Sequence, residues 1–155
     1  MNLLSVLRSR RFRVAGLAAS CLLAGFALGA VANQSMVVTP FESAKFVPMD
    51  PARPHGAQIA VLWGDPGSGP SAALLKYPKS DSGRMHIHTA DYHLVVLEGR
   101  AKHWAQGEQP ASAPVLGPGS YWFQPGKQPH ADACLSDQCV MFIKWSGKED
   151  ALAAE

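Results

Sequence analysis

The chain is poor in charge and poor in helix signals. Charged residues make up 17% of its 155 positions, and no run carries apolar residues at convincing helical spacing, apart from a weak pattern over the last residues, 148–155. It has no heptad or collagen-like period, and no segment of roughly 20 to 50 residues recurs, which excludes coiled coils, triple helices and repeat arrays. Basic residues are sparse except at the start, where Arg8, Arg10, Arg11 and Arg13 stand in a stretch of 32 residues without one acid. Beyond that stretch ten basic residues face twelve acidic ones, a net charge of −2. Such a balance leaves no electrostatic footprint for nucleic acid.

Cysteine is scarce too, and its placement fits the one long apolar run. The arginines lead into 19 uncharged, mostly apolar residues, Val14 to Ala32, closing on the small-x-small triplet Ala30-Val31-Ala32. This order is that of a secretory signal cleaved after Ala32, so residues 1–32 are expected to be removed and the protein to be periplasmic or secreted. The alternative is an uncleaved anchor in the inner membrane through residues 14–32, since a run of that length can just span a bilayer. Ser9-Arg10-Arg11-Phe12 hints at a twin-arginine signal. Of the three cysteines, Cys21 departs with the signal, leaving Cys134 and Cys139 in "CLSDQC". An oxidising compartment would let that pair close across a tight turn.

What the chain has in quantity is turn formers, 14 Gly and 12 Pro, alongside 47% hydrophobic residues. Strand-like runs recur between turn signals: "AQIAVLW", "SAALLKY", "RMHIH", "YHLVVLE", "AKHWA", "SYWFQ" and "CVMFIKW". That spacing predicts an all-β sandwich or barrel over residues 49–147. Residues 33–48 form a proline-bearing lead-in with one or two edge strands, and 148–155 a C-terminal tail. Glu98-Gly99 reads as the turn of a hairpin joining "YHLVVLE" to "AKHWA".

Histidine is concentrated in one place. Three of six fall between His86 and His93. Strand alternation puts His86 and His88 on one face, about 7 Å apart along the strand, and such a pair needs a third ligand from elsewhere to hold a metal. Downstream, "GPGSYWFQPGKQPH" supplies His130. Here the sequence resembles the cupins, whose first motif, G-x5-H-x-H-x(3,4)-E-x6-G, is matched by His86, His88 and Gly99, and whose second, G-x5-P-x-G-x2-H-x3-N, by Gly119, Pro125, Pro129 and His130. The wider likeness is to single-domain cupins of unknown function and, more distantly, to the zinc-bearing cupin domains of anti-sigma factors. It implies a small jelly-roll barrel whose mouth is lined by the motif histidines.

Four departures from the motifs stand out. Gly83 is only three residues before His86, Lys127 replaces the second-motif glycine beside Gly126, Cys134 replaces the asparagine, and no Glu fills the carboxylate slot. That slot falls on Tyr92 or His93, depending on strand register or a bulge. His86, His88 and His130 are therefore the expected metal ligands, with His93 or Tyr92 as the fourth position or the acid–base group. Asp91 reads as a turn former, His55 and His103 as surface or loop residues, and Tyr121, Trp122 and Phe123 as packing. The resemblance implies a divalent ion (Fe, Zn or Mn), a small-molecule ligand and a possible homodimer. An exported oxygenase-type enzyme acting on a chelating organic molecule is one reading, a zinc-bearing sensor or binding module a second, and a metal-free barrel a third.

The signal reading predicts a mature N-terminus at or near Asn33 in protein recovered outside the cytoplasm. N-terminal sequencing of protein from the native host checks it, and an intact Met1 in a soluble cytoplasmic fraction contradicts it.

Overall fold

The computed structural model describes residues 35–79, 81 and 83–154; the signal-like segment 1–32 lies outside the described residues. Each strand-like run of the sequence becomes a strand or part of one, because Gly, Pro and Asp interrupt every extended stretch before it can lengthen. The described strands are β1 (Val47–Pro48), β2 (Gln58–Gly64), β3 (Ser71–Pro78), β4 (His86–Ile87), β5 (Tyr92–Glu98), β6 (Ala101–Ala105), β7 (Tyr121–Gln124), β8 (His130–Cys134), β9 (Gln138–Trp145) and β10 (Leu152–Ala153). The lead-in adds one 3-10 turn at Phe41–Ser43 and, through β1, an edge strand paired with Gln58 and Ile59.

Two antiparallel sheets result. Six strands run in the order β1-β2-β3-β9-β5-β7 and four in the order β10-β4-β8-β6. The centre of the larger sheet is the β3–β9–β5 ladder, in which Leu75 pairs with Met141, Ala73 and Leu94 with Ile143, and Ser71 and Tyr92 with Trp145. Their inward side chains, joined by Val96 and Trp122, make the core. Alternation fixes what else faces inward. On β5, Tyr92, Leu94 and Val96 are buried while His93 and Leu97 are exposed. Slipping that strand by one residue would expose Leu94 and Val96, at roughly 1.5–3 kcal/mol for each large apolar side chain. The apolar residues thus carry Tyr92 inward with them.

Two expectations are corrected. Glu98-Gly99 is not a hairpin turn, because β5 pairs with β7 and β9 whereas β6 pairs with β8 in the other sheet. The turn is a corner between sheets, and its tightness explains the glycine: Gly99 has φ +82°, and a Cβ there would stand 2.6 Å from the Gln138 carbonyl oxygen. Nor is the expected tail of residues 148–155, over its described part 148–154, a simple tail with helical character. Leu152 and Ala153 pair with Ile87 and His86, so this segment closes the edge of the sheet that carries the histidines.

Cys134 and Cys139 are bridged, and the bridge joins β8 of one sheet to β9 of the other. Closing so short a loop contributes about 2 kcal/mol in the chain-entropy view. Cys134→Ser is therefore expected to lower the melting temperature by several degrees while leaving the barrel folded. Thermal unfolding by circular dichroism checks this, and an unchanged midpoint contradicts it.

Candidate metal centre

His86 and His130 are directly paired across β4 and β8, and His88 follows two residues after His86 on the same face. The three rings converge. The Nε2 atoms of His86 and His88 are 3.2 Å apart, the His86 and His130 ring centroids 4.4 Å apart, and one ligand atom from each of the three lies within 4.8 Å of the others.

Backbone carbonyls decide which nitrogen each ring presents. His86 Nδ1 lies 2.9 Å from the Arg84 carbonyl oxygen, His130 Nδ1 lies 2.9 Å from that of Gln128, and His88 Nδ1 meets that of Asp150. A carbonyl only accepts, so each Nδ1 carries the proton and each Nε2 presents a lone pair. Two lone pairs facing each other at 3.2 Å repel unless a cation lies between them. Two imidazole nitrogens bound to one zinc-sized ion at 2.0–2.1 Å would be about 2.9–3.4 Å apart for octahedral to tetrahedral angles, and the observed separation falls in that range. These residues fit a divalent ion. Burial, with His86 adding to it, pushes the pKa of His88 down to about 4, and burial does the same for His130. Both rings are neutral near pH 7, as ligation requires.

Tyr92 completes the cluster. Its hydroxyl accepts from Trp122 Nε1 at 3.3 Å and lies 3.2 Å from His130 Nε2, to which it donates. Burial, reinforced by the nearby Asp132, holds its pKa well above the ordinary tyrosine value, so it is a phenol. His93, the other candidate for the fourth position, is on the opposite face of β5, exposed, with Nδ1 2.8 Å from the Tyr121 hydroxyl. It faces away from the cluster because β5 has no bulge next to it; the irregularity falls between Val96 and Glu98. His55 is in an exposed turn. His103, expected at the surface, is instead half-buried, 5.2 Å from His130 between ring centroids.

Loops lock this arrangement. Asp91 Oδ1 accepts from Gly126 N–H at 2.7 Å and so acts as the expected turn former. A Cβ on Gly126 would stand 2.5 Å from the Thr89 carbonyl oxygen, so only glycine lets the two loops meet. Lys127 adopts φ +64°, the left-handed conformation that favours glycine, and its N–H donates to the His88 carbonyl at 2.6 Å. Asp150 contributes twice: its carbonyl holds His88, and its carboxylate accepts from the Thr89 N–H and hydroxyl. Nothing local in the sequence marks Asp150, which is 62 residues from His88.

His86, His88 and Tyr92 line a cavity of about 540 Å³ together with Leu75, Tyr77, Trp122, Asp132, Met141 and Trp145. That is the size and character of a site for a small organic ligand.

Replacing any one of His86, His88 or His130 by Ala is expected to weaken metal binding by on the order of a hundredfold or more, while His55→Ala and His93→Ala retain it; competition with a metal chelator checks this. Stability of the metal-free protein has a definite pH course. The unfolded chain takes up protons on His88 and His130 from about pH 6.5 downward, but the folded chain does so only near 4. Stability is therefore full above pH 6.5 and falls as pH drops through that window. Denaturant midpoints across the range test it, and a His88→Gln, His130→Gln double variant should flatten the slope.

No curated protein matches the sequence. Among solved structures, an RmlC-like cupin from Shewanella frigidimarina is 19% identical, covering 76% of this chain and 96% of its own at a TM-score of 0.57. The polyketide cyclase RemF from Streptomyces resistomycificus is 18% identical, covering 78% and 87% at 0.61. The chain spans less than two thirds of two DMSP lyases: 53% of one, and 62% of DddQ from Ruegeria pomeroyi, with 19% identity, 73% of this chain and a TM-score of 0.57. These likenesses establish a cupin fold. Family membership rests on a separate match, to the domain of unknown function DUF4437 over residues 24–151, and the chain belongs to that family.

Proposed function

We propose that this protein is an exported, metal-dependent cupin enzyme that takes a small organic molecule into the barrel cavity and acts on it at an ion held by His86, His88 and His130. The observation that carries the reading is the convergence of three Nε2 lone pairs, each fixed by a carbonyl on Nδ1, with the Tyr92 hydroxyl beside them. An ion bound there would polarise an oxygen or sulfur of the ligand. The chain supplies the rest. Trp122 N–H orients the Tyr92 hydroxyl, and Tyr92 is the group in reach to give or take a proton.

The donor set also bears on substrate. With no carboxylate among the ligands, the ion would keep its full charge, which suits a substrate that brings an anionic oxygen or sulfur of its own. Two reaction types fit. The position of Tyr92 favours proton transfer in an elimination or cyclisation, in keeping with a fold shared with DMSP lyases and a polyketide cyclase. The three neutral donors equally suit the oxygenase type, with a redox-active ion. The Cys134–Cys139 bridge supports export, since disulfides persist in oxidising compartments. No helix among the described residues is long and apolar enough to cross a membrane.

The test is anaerobic purification from the native host, metal analysis, and assay of Fe(II)-, Mn(II)- and Zn(II)-loaded protein. The substrates are a chelating diketone, a catechol, a thiol and DMSP, each with and without oxygen. Metal-dependent turnover of one of them is expected, reduced about 100-fold or more in Tyr92→Phe with metal content unchanged. Protein that holds only zinc as purified from its host, and that turns over none of the four when loaded with any of the three metals, would favour a non-catalytic binding module.

A further inference from the structure

A second set of polar contacts runs behind His130. The carbonyl oxygen of Gln128 that accepts from His130 Nδ1 at 2.9 Å also accepts from Gln124 Nε2 at 3.1 Å. The Gln124 amide nitrogen donates in addition to the Pro125 carbonyl at 3.0 Å. With its NH2 facing two carbonyls, the amide can present only Oε1 to His103, whose Nε2 lies 2.9 Å away and must carry the proton. The His103 ring stacks on Trp122, with centroids 4.9 Å apart and planes 14° apart, and Trp122 N–H holds Tyr92, which reaches His130 Nε2. The contacts close a ring: His130, Gln128 carbonyl, Gln124, His103, Trp122, Tyr92 and back to His130.

Gln124 is 6% exposed, and burying an amide there is costlier than burying a leucine of similar size. In return it fastens the loop Pro125–Pro129, whose carbonyl would otherwise be free to rotate away from His130. His103 is not one of the converging ligands. Its N–H fixes the far end of the amide, and its ring backs the indole that orients Tyr92.

We propose that Gln124 and His103 are positioning residues that hold His130 as its Nδ1–H tautomer and aim its Nε2 at the ion. The effect on metal affinity rests on the function proposed above; the effect on the tautomer does not.

The experiment uses two readouts on Gln124→Leu, the isosteric Gln124→Glu, and His103→Phe, which keeps the stacking but loses the N–H. Imidazole nitrogen NMR on metal-free protein reads the His130 tautomer, and chelator competition reads the affinity for Zn(II). Wild type should show His130 protonated at Nδ1. Both Gln124 variants should show mixed tautomers and bind Zn(II) about 10- to 100-fold more weakly, Glu as poorly as Leu because a carboxylate cannot donate to the two carbonyls. His103→Phe should move both readouts in the same direction by less, and His55→Ala neither. Folded variants that keep the Nδ1–H tautomer at wild-type affinity would overturn the proposal. Wild-type protein that binds no Zn(II) would sink the metal reading, and the tautomer measurement would still decide the role of Gln124.

Discussion

Three imidazole N–H groups tied to three backbone carbonyls are the constraint from which the centre follows. Each tie, at Arg84, Asp150 and Gln128, removes one degree of freedom from a ring and chooses its tautomer. The consequence is a concentration of lone pairs that a protein interior does not tolerate by itself, since buried acceptors need partners. In the metal-free protein Tyr92 satisfies one of them by donating to His130, a bond that must give way for the same lone pair to turn to an ion. His86 and His88 still face each other at 3.2 Å, and a cation is the partner that answers both.

The fold is arranged to keep those ties in place. His86 and His130 need only one backbone pairing to lie side by side, but β4 is two residues long and could not hold itself. It is flanked by β8 on one side and by β10 on the other, while Asp150 and Lys127 bond to either side of His88. The close approach of Gly126 to Thr89 brings the loop before His130 against the loop after His88. The positive φ of Lys127 is a local cost, offset by the bond from its N–H to the His88 carbonyl. At the place of the second-motif glycine the chain thus carries a lysine in a conformation that favours glycine.

The strands and the shared face of His86 and His88 were legible because they depend on local signals, and His130 was legible through the motif it stands in. Turn formers bound every strand, and alternation put His86 and His88 on one face without reference to the rest of the chain. Tyr92 against His93 was not decidable locally, since a single bulge exchanges them; burial of Leu94 and Val96 against β9 decided it. The Glu98-Gly99 hairpin failed for a related reason: a turn signal says where the chain reverses but not which sheet it enters next. His103, Gln124 and Asp150 were invisible because their roles exist only through partners distant in sequence. A half-buried histidine on a short strand has no mark that separates it from an exposed one.

X-ray absorption on the Zn(II)-loaded protein tests the central claim most directly. The account predicts a shell with three imidazole nitrogens at about 2.0–2.1 Å, completed by oxygen. A shell with fewer than three imidazoles, or one built on sulfur, would contradict it.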